Sequence, residues 1–449
     1  MKKLSVFALA ALLVAMFSVP AMAIEHEFGG YFRTRFIAQD GFGVGEDAAI
    51  IEVTEVTDPV TGAVTTFSEV VGNTNQDLSQ VDTRTRLYYT AKFSDNFKFI
   101  NKFEFDAVWG EAPSKGGYGD IGADGVKVEI KNSYADFNLG MANFRVGVQG
   151  FLLGSGFIMD DDGAGITILA SPSEKLTLGA VWVRHNEGGP GKDLAGEDNN
   201  DGDVDAIVLV PTMMLAEGMT LKGEVGYFFS DNAGAYERLP STELTDLALW
   251  YLGLNFQGSA GPLSYGVEGY LQGGDVDLAG DDTVDFKGYL VSANLGYDLG
   301  GADVHGQFTY ATGDDTPDDT DFDAFFNPPG ASYYWAEILG YGIFDQQTPS
   351  FAPADQISNV MFFNLGAGFK PMEKLKLKAD LWYANAAEED VFGNDDMGVE
   401  LDLVATYALL DGLNLDLVGA YLWAGDYLAY DGNADNDPWE LGARLSLSF

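Results

Sequence analysis

Phe97-Lys98-Phe99-Ile100-Asn101-Lys102-Phe103-Glu104-Phe105 places four phenylalanines on alternate positions and Lys98, Lys102 and Glu104 between them. A period of two is the mark of an extended strand, because successive side chains point to opposite faces. The same rhythm returns in Leu375-Lys376-Leu377-Lys378-Ala379-Asp380-Leu381 and in Leu413-Asn414-Leu415-Asp416-Leu417-Val418-Gly419. One face is apolar, with Tyr421 and Trp423 toward the end of its run. The other carries Lys98, Lys102, Glu104, Asp106, Asn414 and Asp416, and farther on Glu400, Asp402 and Thr406. A soluble β-sandwich would need an apolar core on one side of each sheet. A sheet closed around water, with lipid outside, accounts for both faces and leaves no unpaired edge in hydrocarbon.

The connections between these runs alternate in length. Short turns fall near 94–96, 139–141, 172–174, 217–218, 259–260, 300–301, 371–373 and 411–412. Long polar links occupy about 40–79, 111–125, 151–162, 186–203, 231–244, 274–283, 313–354, 387–397 and 425–437. Eight short turns and nine long links join 18 strands, with both termini on the short-turn side. The expected fold is all-β: a transmembrane antiparallel up-and-down β-barrel of 18 strands, with short periplasmic turns and long extracellular loops. The strand over 142–150 and the one starting near Gly163 are the weakest in pattern, and without them the count is 16.

Composition agrees. The 449 residues carry 24 Lys+Arg against 69 Asp+Glu, a formal charge of −45, yet 46% are hydrophobic and 13% aromatic. That is too apolar for an acidic disordered chain and too negative for a nucleic-acid partner. No cysteine is present, which excludes disulfides, thiolate metal sites and haem attachment through CxxCH. No later stretch has the run of about 18 apolar residues that a spanning helix needs.

Residues 1–23 read as a cleaved signal peptide, with Lys2 and Lys3, an apolar stretch from Leu4 to Val19, and Ala21-Met22-Ala23 at the cut. The mature domain is then 24–449, and losing two lysines takes the charge from −45 to −47.

The last residues, Leu441, Ala443, Leu445, Leu447 and the terminal Phe449, alternate. This pattern resembles the C-terminal signal of Gram-negative outer-membrane barrels, and the mature chain resembles an outer-membrane porin. The strand count is nearer the 18-stranded OprD, alginate-export and sugar porins than the 16-stranded general porins. The resemblance implies an outer-membrane location among lipid and lipopolysaccharide, and recognition of Phe449 by the barrel-assembly machinery. Association of three barrels is left open.

Positive charge is scarce and clustered. Arg33, Arg35, Arg84, Arg86, Lys92, Lys98, Lys102, Lys127, Lys131 and Arg145 all precede residue 150 on strands, evenly spaced within each strand. A charge facing lipid at mid-depth costs about 2–4 kcal/mol, so these residues should face the lumen as one basic wall. The third long link, 151–162, reads Phe-Leu-Leu-Gly-Ser-Gly-Phe-Ile-Met-Asp-Asp-Asp. It is too apolar for a loop in water, which predicts a pore loop folded inward with Asp160, Asp161 and Asp162 facing the basic wall. A plainer reading pairs the cations with lumen carboxylates merely to satisfy the interior.

Glu197, Asn199 and Asp201 have part of the spacing of a calcium loop, with Val208 where the closing Glu belongs, so a surface Ca²⁺ site is one reading and a solvated loop the other. No resident cofactor is expected. The loop 313–354, rich in Phe, Tyr and Trp, is expected to fold over the barrel mouth and pack on itself. His26, His185 and His305 are scattered and there is no hydrolase, metalloprotease or P-loop motif, so an enzyme is not expected. The function read from the sequence is a passive pore for small hydrophilic solutes, with the ladder favouring anionic or zwitterionic ones. The rival is a non-conducting surface scaffold, or the sheath around a multihaem electron conduit.

Overall fold

In the computed structural model the described residues are 24–43, 49–57, 64–73, 77–111, 119, 121, 128–187, 203–230, 244–278, 283–315, 320–344, 346–349, 351–429 and 436–449. They form one closed antiparallel barrel of 18 staves. The first nine are β1 (Glu25–Asp40), β2 (Leu78–Ser94), β3 (Phe97–Val108), β4 (Glu129–Leu139), β5 (Ala142–Leu153), β6 (Met159–Ser173), β7 (Leu176–Asn186), β8 (Val204–Ala216) and β9 (Met219–Ser230). The second nine are β10 (Leu244–Ala260), β11 (Leu263–Leu278), β12 (Tyr289–Asp298), β13 (Ala302–Ala311), β14 (Val360–Met372), β15 (Leu375–Asn385), β16 (Asp396–Leu410), β17 (Leu413–Ala424) and β18 (Trp439–Ser448). Two short segments, Thr283–Phe286 and Asp321–Phe322, add to the rim, and Ala49–Thr57 pairs with Val64–Asn73 as a separate hairpin.

Each stave pairs with its neighbours in sequence, and β1 closes the ring by pairing β2 on one edge and β18 on the other. The closing register runs from Tyr31↔Ser448 to Asp40↔Trp439. Past its end, Phe449 and Gly30 exchange two backbone hydrogen bonds, of 2.8 and 3.1 Å. Gly30 is required there, because a Cβ would stand 2.7 Å from the backbone carbonyl oxygen of Arg86. Both strands that were weakest in pattern, β5 and β6, are full staves, so the count is 18.

The outer face is apolar and uncovered: Leu365, Leu403, Leu417 and Leu441 are all more than half exposed. In a water-soluble protein such a belt would aggregate; facing hydrocarbon, it is the stable arrangement. The inner face departs from the expected uniform polarity. On β1–β5 it is mostly polar, on β7–β13 it is largely apolar and buried, through Val204, Ala206, Val208, Phe228, Leu249, Tyr251 and Tyr270, and β15–β18 mix acids with buried Trp382, Ala420 and Leu422. These residues are covered by chain that enters the lumen, so that half of the barrel has a true core.

Leu417 sits mid-stave on the lipid face, opposite Ala405 and Ala443. Leu417→Arg should lower unfolding stability in liposomes by about 2–4 kcal/mol, measured by reversible denaturant titration.

Candidate functional site

Two segments enter the lumen. The first is the tip of the β5–β6 hairpin, and it corrects the sequence expectation. The predicted loop 151–162 is mostly strand: β5 runs to Leu153 and β6 starts at Met159, with Leu152 paired to Asp160 and Gly150 to Asp162. Only residues 154–158 turn, and they turn inward. Gly154, Ser155 and Gly156 all have positive φ, which packs the turn tightly; a Cβ on Gly156 would stand 2.5 Å from the carbonyl oxygen of Ser332. The Gly154 N–H donates to the Glu224 carboxylate at 2.9 Å, and the Ser155 hydroxyl donates to Glu268 at 2.8 Å. Phe157 stacks on Tyr333 at 4.1 Å between ring centres. Phe151, Leu153, Phe157, Ile158 and Met159 of this link are therefore packing residues, Leu152 is exposed, and Asp160–Asp162 belong to the barrel wall.

The second segment is the connection from β13 to β14, residues 312–359, and it forms the main obstruction. The expectation that it packs over the mouth falls short of what it does, because it descends into the barrel. Ala336, Ile338, Leu339 and Phe344 are fully buried. Trp335 stacks on Phe362 of β14 at 4.3 Å and meets Trp382 of β15 edge-on. Three consecutive backbone N–H groups are captured by two carboxylates of β16. Glu337 donates to Asp402 at 3.3 Å, Ile338 to Glu400 at 2.6 Å, and Leu339 to Glu400 at 3.0 Å. Elsewhere Gln272 holds Phe326 through both amide atoms, and Gln307 donates to the Tyr333 hydroxyl at 2.6 Å.

Tyr334, Gly342 and Ile343 line two cavities, one on each side of this segment. The cavity of about 940 Å³ lies against β12–β16 and includes His305, Lys376, Lys378, Asp380 and Asp402. The other, of about 880 Å³, is bounded by Arg33, Arg84, Arg86, Lys102, Lys131 and Arg444 and by Asp160, Asp161 and Asp162. Arg33, Arg84, Arg86, Lys102 and Lys131 of the basic wall thus border one space with the three aspartates, which reach it from a stave, whereas Arg35, Lys98 and Arg145 do not line it.

Most of the wall is ion-paired. Arg35 holds Asp82 through Nε and Nη2, at 2.9 and 2.5 Å. Arg84 grips Asp106 at 2.8 and 2.6 Å, and Arg86 bonds Glu104. Lys131 lies 3.7 Å from Asp162 and 4.0 Å from Glu104. Lys98 and Arg145 both approach Asp136 at 3.5 Å, and Lys92 sits near Glu25 and Asp95. Two members differ. Arg33 is 8% exposed, and its Nε has no hydrogen-bond partner among the described residues. Lys102 forms no ion pair among them and lies over the Tyr88 ring at 5.8 Å.

Lys127, and Glu197, Asn199 and Asp201 of the calcium reading, lie outside the described residues. In another acidic link, Asp314, Asp315 and Asp323 bring carboxylate oxygens within 4.8 Å of one another. The histidines are apart: His26 meets Tyr89, His185 packs on Phe228, and His305 sits between Asp303 and Asp380. The anchors Glu224, Glu268, Glu400 and Asp402 were missed as functional residues. Their only signal was an acidic side chain at a lumen position, which many other staves share.

Residues 216–438 match the alginate-export family. No curated protein sequence matches the chain. The fold is similar to that of OccK1 (OpdK) of Pseudomonas aeruginosa, at TM-score 0.56 and 11% identity, covering 95% of this chain and 99% of that one. It is likewise similar to OccAB1 of Acinetobacter baumannii, at TM-score 0.56 and 14% identity, covering 94% and 96%. A Pseudomonas aeruginosa OpdK structure with vanillate is similar at TM-score 0.55 and 11% identity, covering 95% and 98%. The chain thus resembles outer-membrane porins in fold over nearly its whole length.

Glu400→Ala removes the acceptor for two buried N–H groups, a loss of about 2–6 kcal/mol in the seating of residues 337–339. The barrel itself should persist, still heat-modifiable on gels, while added protease cuts between Tyr334 and Phe344 at a rate the parent protein does not show.

Proposed function

We propose that this outer-membrane barrel is a passive diffusion channel for small hydrophilic solutes, and that its basic wall favours anionic or zwitterionic ones. The observation that carries the reading is Arg33: a buried guanidinium with an unpartnered Nε, bordering a cavity of about 880 Å³. A buried guanidinium without a carboxylate is costly to maintain, and an arriving carboxylate supplies a short, charge-assisted bond. Arg35 and Arg84 stand beside it, each already engaged by a protein carboxylate. The wall therefore offers a solute less than its full count of cations, with Arg33 and Lys102 as the groups left to bind.

Asp160, Asp161 and Asp162 border the same cavity, so an amine and a carboxylate on one solute would each find a partner across it. This supports the zwitterionic reading. The chain's net charge of −45 counts groups in distant loops, and salt screens those beyond about 8–10 Å. One structural neighbour is described with vanillate, which is a carboxylate. A sheath around another protein needs an open bore, and here residues 154–158 and 324–344 occupy it. Passive flow has no intrinsic direction, so uptake into the periplasm follows the solute gradient. We further read Phe449, held by Gly30 with its side chain exposed, as the mark recognised during barrel assembly.

Single-channel conductance and reversal potential in planar bilayers under a KCl gradient test this reading. Arg33→Ala with Lys102→Ala should shift selectivity toward cations and raise the half-saturation concentration of a small carboxylate roughly tenfold, about 1.4 kcal/mol. Arg84→Ala with Arg86→Ala frees Glu104 and Asp106 and should shift selectivity further the same way. An absence of conductance from correctly folded, heat-modifiable protein would sink the channel.

A further inference from the structure

The segment between the two cavities is seated on acids. Glu337, 6% exposed, donates its backbone N–H to Asp402 and accepts the Ile343 N–H on Oε2 at 2.7 Å. That second bond closes a turn in which Tyr341 and Gly342 both have positive φ, at 66° and 42°. Tyr341 carries a side chain in a region that L-residues rarely occupy, so the turn is strained and depends on its bonds. Every neighbouring stave adds charge. β16 contributes Glu400 and Asp402, which are fully or almost fully buried, and β18 contributes Glu440, 2% exposed. Asp402 Oδ1 and Glu440 Oε1 are buried with no hydrogen-bond donor among the described residues. The basic groups facing this cluster are Lys378 from β15, the His305 imidazole from β13, Arg444 from β18 and Arg35 from β1. Each is already paired: Lys378 and His305 with Asp380 at 2.8 Å, Arg444 with Asp416 at 2.9 Å, and Arg35 with Asp82.

We propose that residues Tyr334–Ile343 form a proton-controlled gate: with the Glu337 carboxyl protonated the segment stays seated across the lumen, and ionisation of that carboxyl unseats it and widens the pore. The sign follows from the neighbours. A carboxylate at this position would be a buried charge crowded among the carboxyl groups of Glu400, Asp402 and Glu440, and each nearby cation is already paired. Burial, and then the charge of Asp402, push the Glu337 carboxyl up to about 8, so its proton is held at neutral pH and lost in mildly alkaline medium. Ionisation is disfavoured in the seated state and unhindered once the side chain reaches water. Rising pH therefore favours the unseated state, by at most tenfold per pH unit for one proton.

The gate rests on the channel reading, and the test separates the two. Bilayer conductance of the full chain should rise between pH 6 and 9, while Glu337→Gln stays at the low level throughout. A flat wild-type profile overturns the gate, as does a pH step that survives Glu337→Gln or a Glu337→Gln channel that is open at every pH. Independently of conduction, the chain has no cysteine, so single thiols report directly. Ala336 is fully buried and Tyr334 is half exposed. The rate of labelling of Ala336→Cys by a charged methanethiosulfonate, divided by that of Tyr334→Cys to cancel thiolate formation, should climb severalfold from pH 6 to 9. A constant ratio refutes the gate even if the pore conducts, and a climbing ratio without conductance leaves the gate and removes the channel.

Discussion

Backbone that enters a barrel lumen leaves water without joining a ladder, and its N–H groups must find acceptors there. Here side chains on the staves supply them. Glu400 and Asp402 take three successive N–H groups of residues 337–339, Glu224 takes that of Gly154, and Gln272 takes that of Phe326. An unmet buried N–H costs about 1–3 kcal/mol, whereas a bond to an ionised acceptor returns about 1.5–3 kcal/mol. The inserted segments are stable only because the strands carry acids and amides at these depths. Remove those acceptors and the lumen would empty, leaving a wide hole with an apolar lining on one side.

That lining makes the barrel asymmetric. On β7–β13 much of the inner face is Val, Ala, Leu, Phe and Tyr, set among acids and amides such as Glu224, Glu268 and Gln272, and the hairpin tip and the long connection cover it. On β1–β5 it is a lattice of Arg, Lys, Asp and Glu that faces open space. The wall's ion pairs fix its side chains: Arg84 gripped through two nitrogens by Asp106 cannot swing into the passage. Arg33, with one nitrogen unpartnered, is held by burial alone. Order in the wall and availability to a solute are thus divided between neighbouring arginines on adjacent strands.

The barrel was legible because its signals are local. Alternation over Phe97–Phe105, the eight tight turns, and the lipid cost of a misplaced arginine all work within a few residues, and together they give 18 staves and the face on which the cations lie. The inserted segments depend on contacts far apart in sequence. Ile338 meets Glu400 across 62 positions, and Gly154 meets Glu224 across 70. Phe151–Ile158 read as inward-folding because it is apolar, which was sound physics; its extent was misjudged because Asp160–Asp162 resemble a polar loop end. They continue a stave instead, since a strand that rises beyond the membrane needs no apolar outer face. The aromatic run of 313–354 announced burial without naming the surface that would bury it.

An acidic chain with a basic passage is less paradoxical when charges are sorted by what they touch. Glu224, Glu268, Glu400 and Asp402 hold chain segments, and Asp82, Glu104, Asp106, Asp136 and Asp416 neutralise arginines and lysines. Neither set is free to attract a cation from solution. The anchoring role also explains why acids were used where amides would avoid charge repulsion. A carboxylate accepts on two oxygens at once, as Glu400 does for Ile338 and Leu339, whereas an amide offers one accepting oxygen. Crowding several such groups under one loop then has a consequence of its own, since Glu337 completes a group of buried carboxyls whose nearby cations are already committed. The chemistry that best seats a strained segment in a narrow pore is the same chemistry that makes its seating depend on a proton.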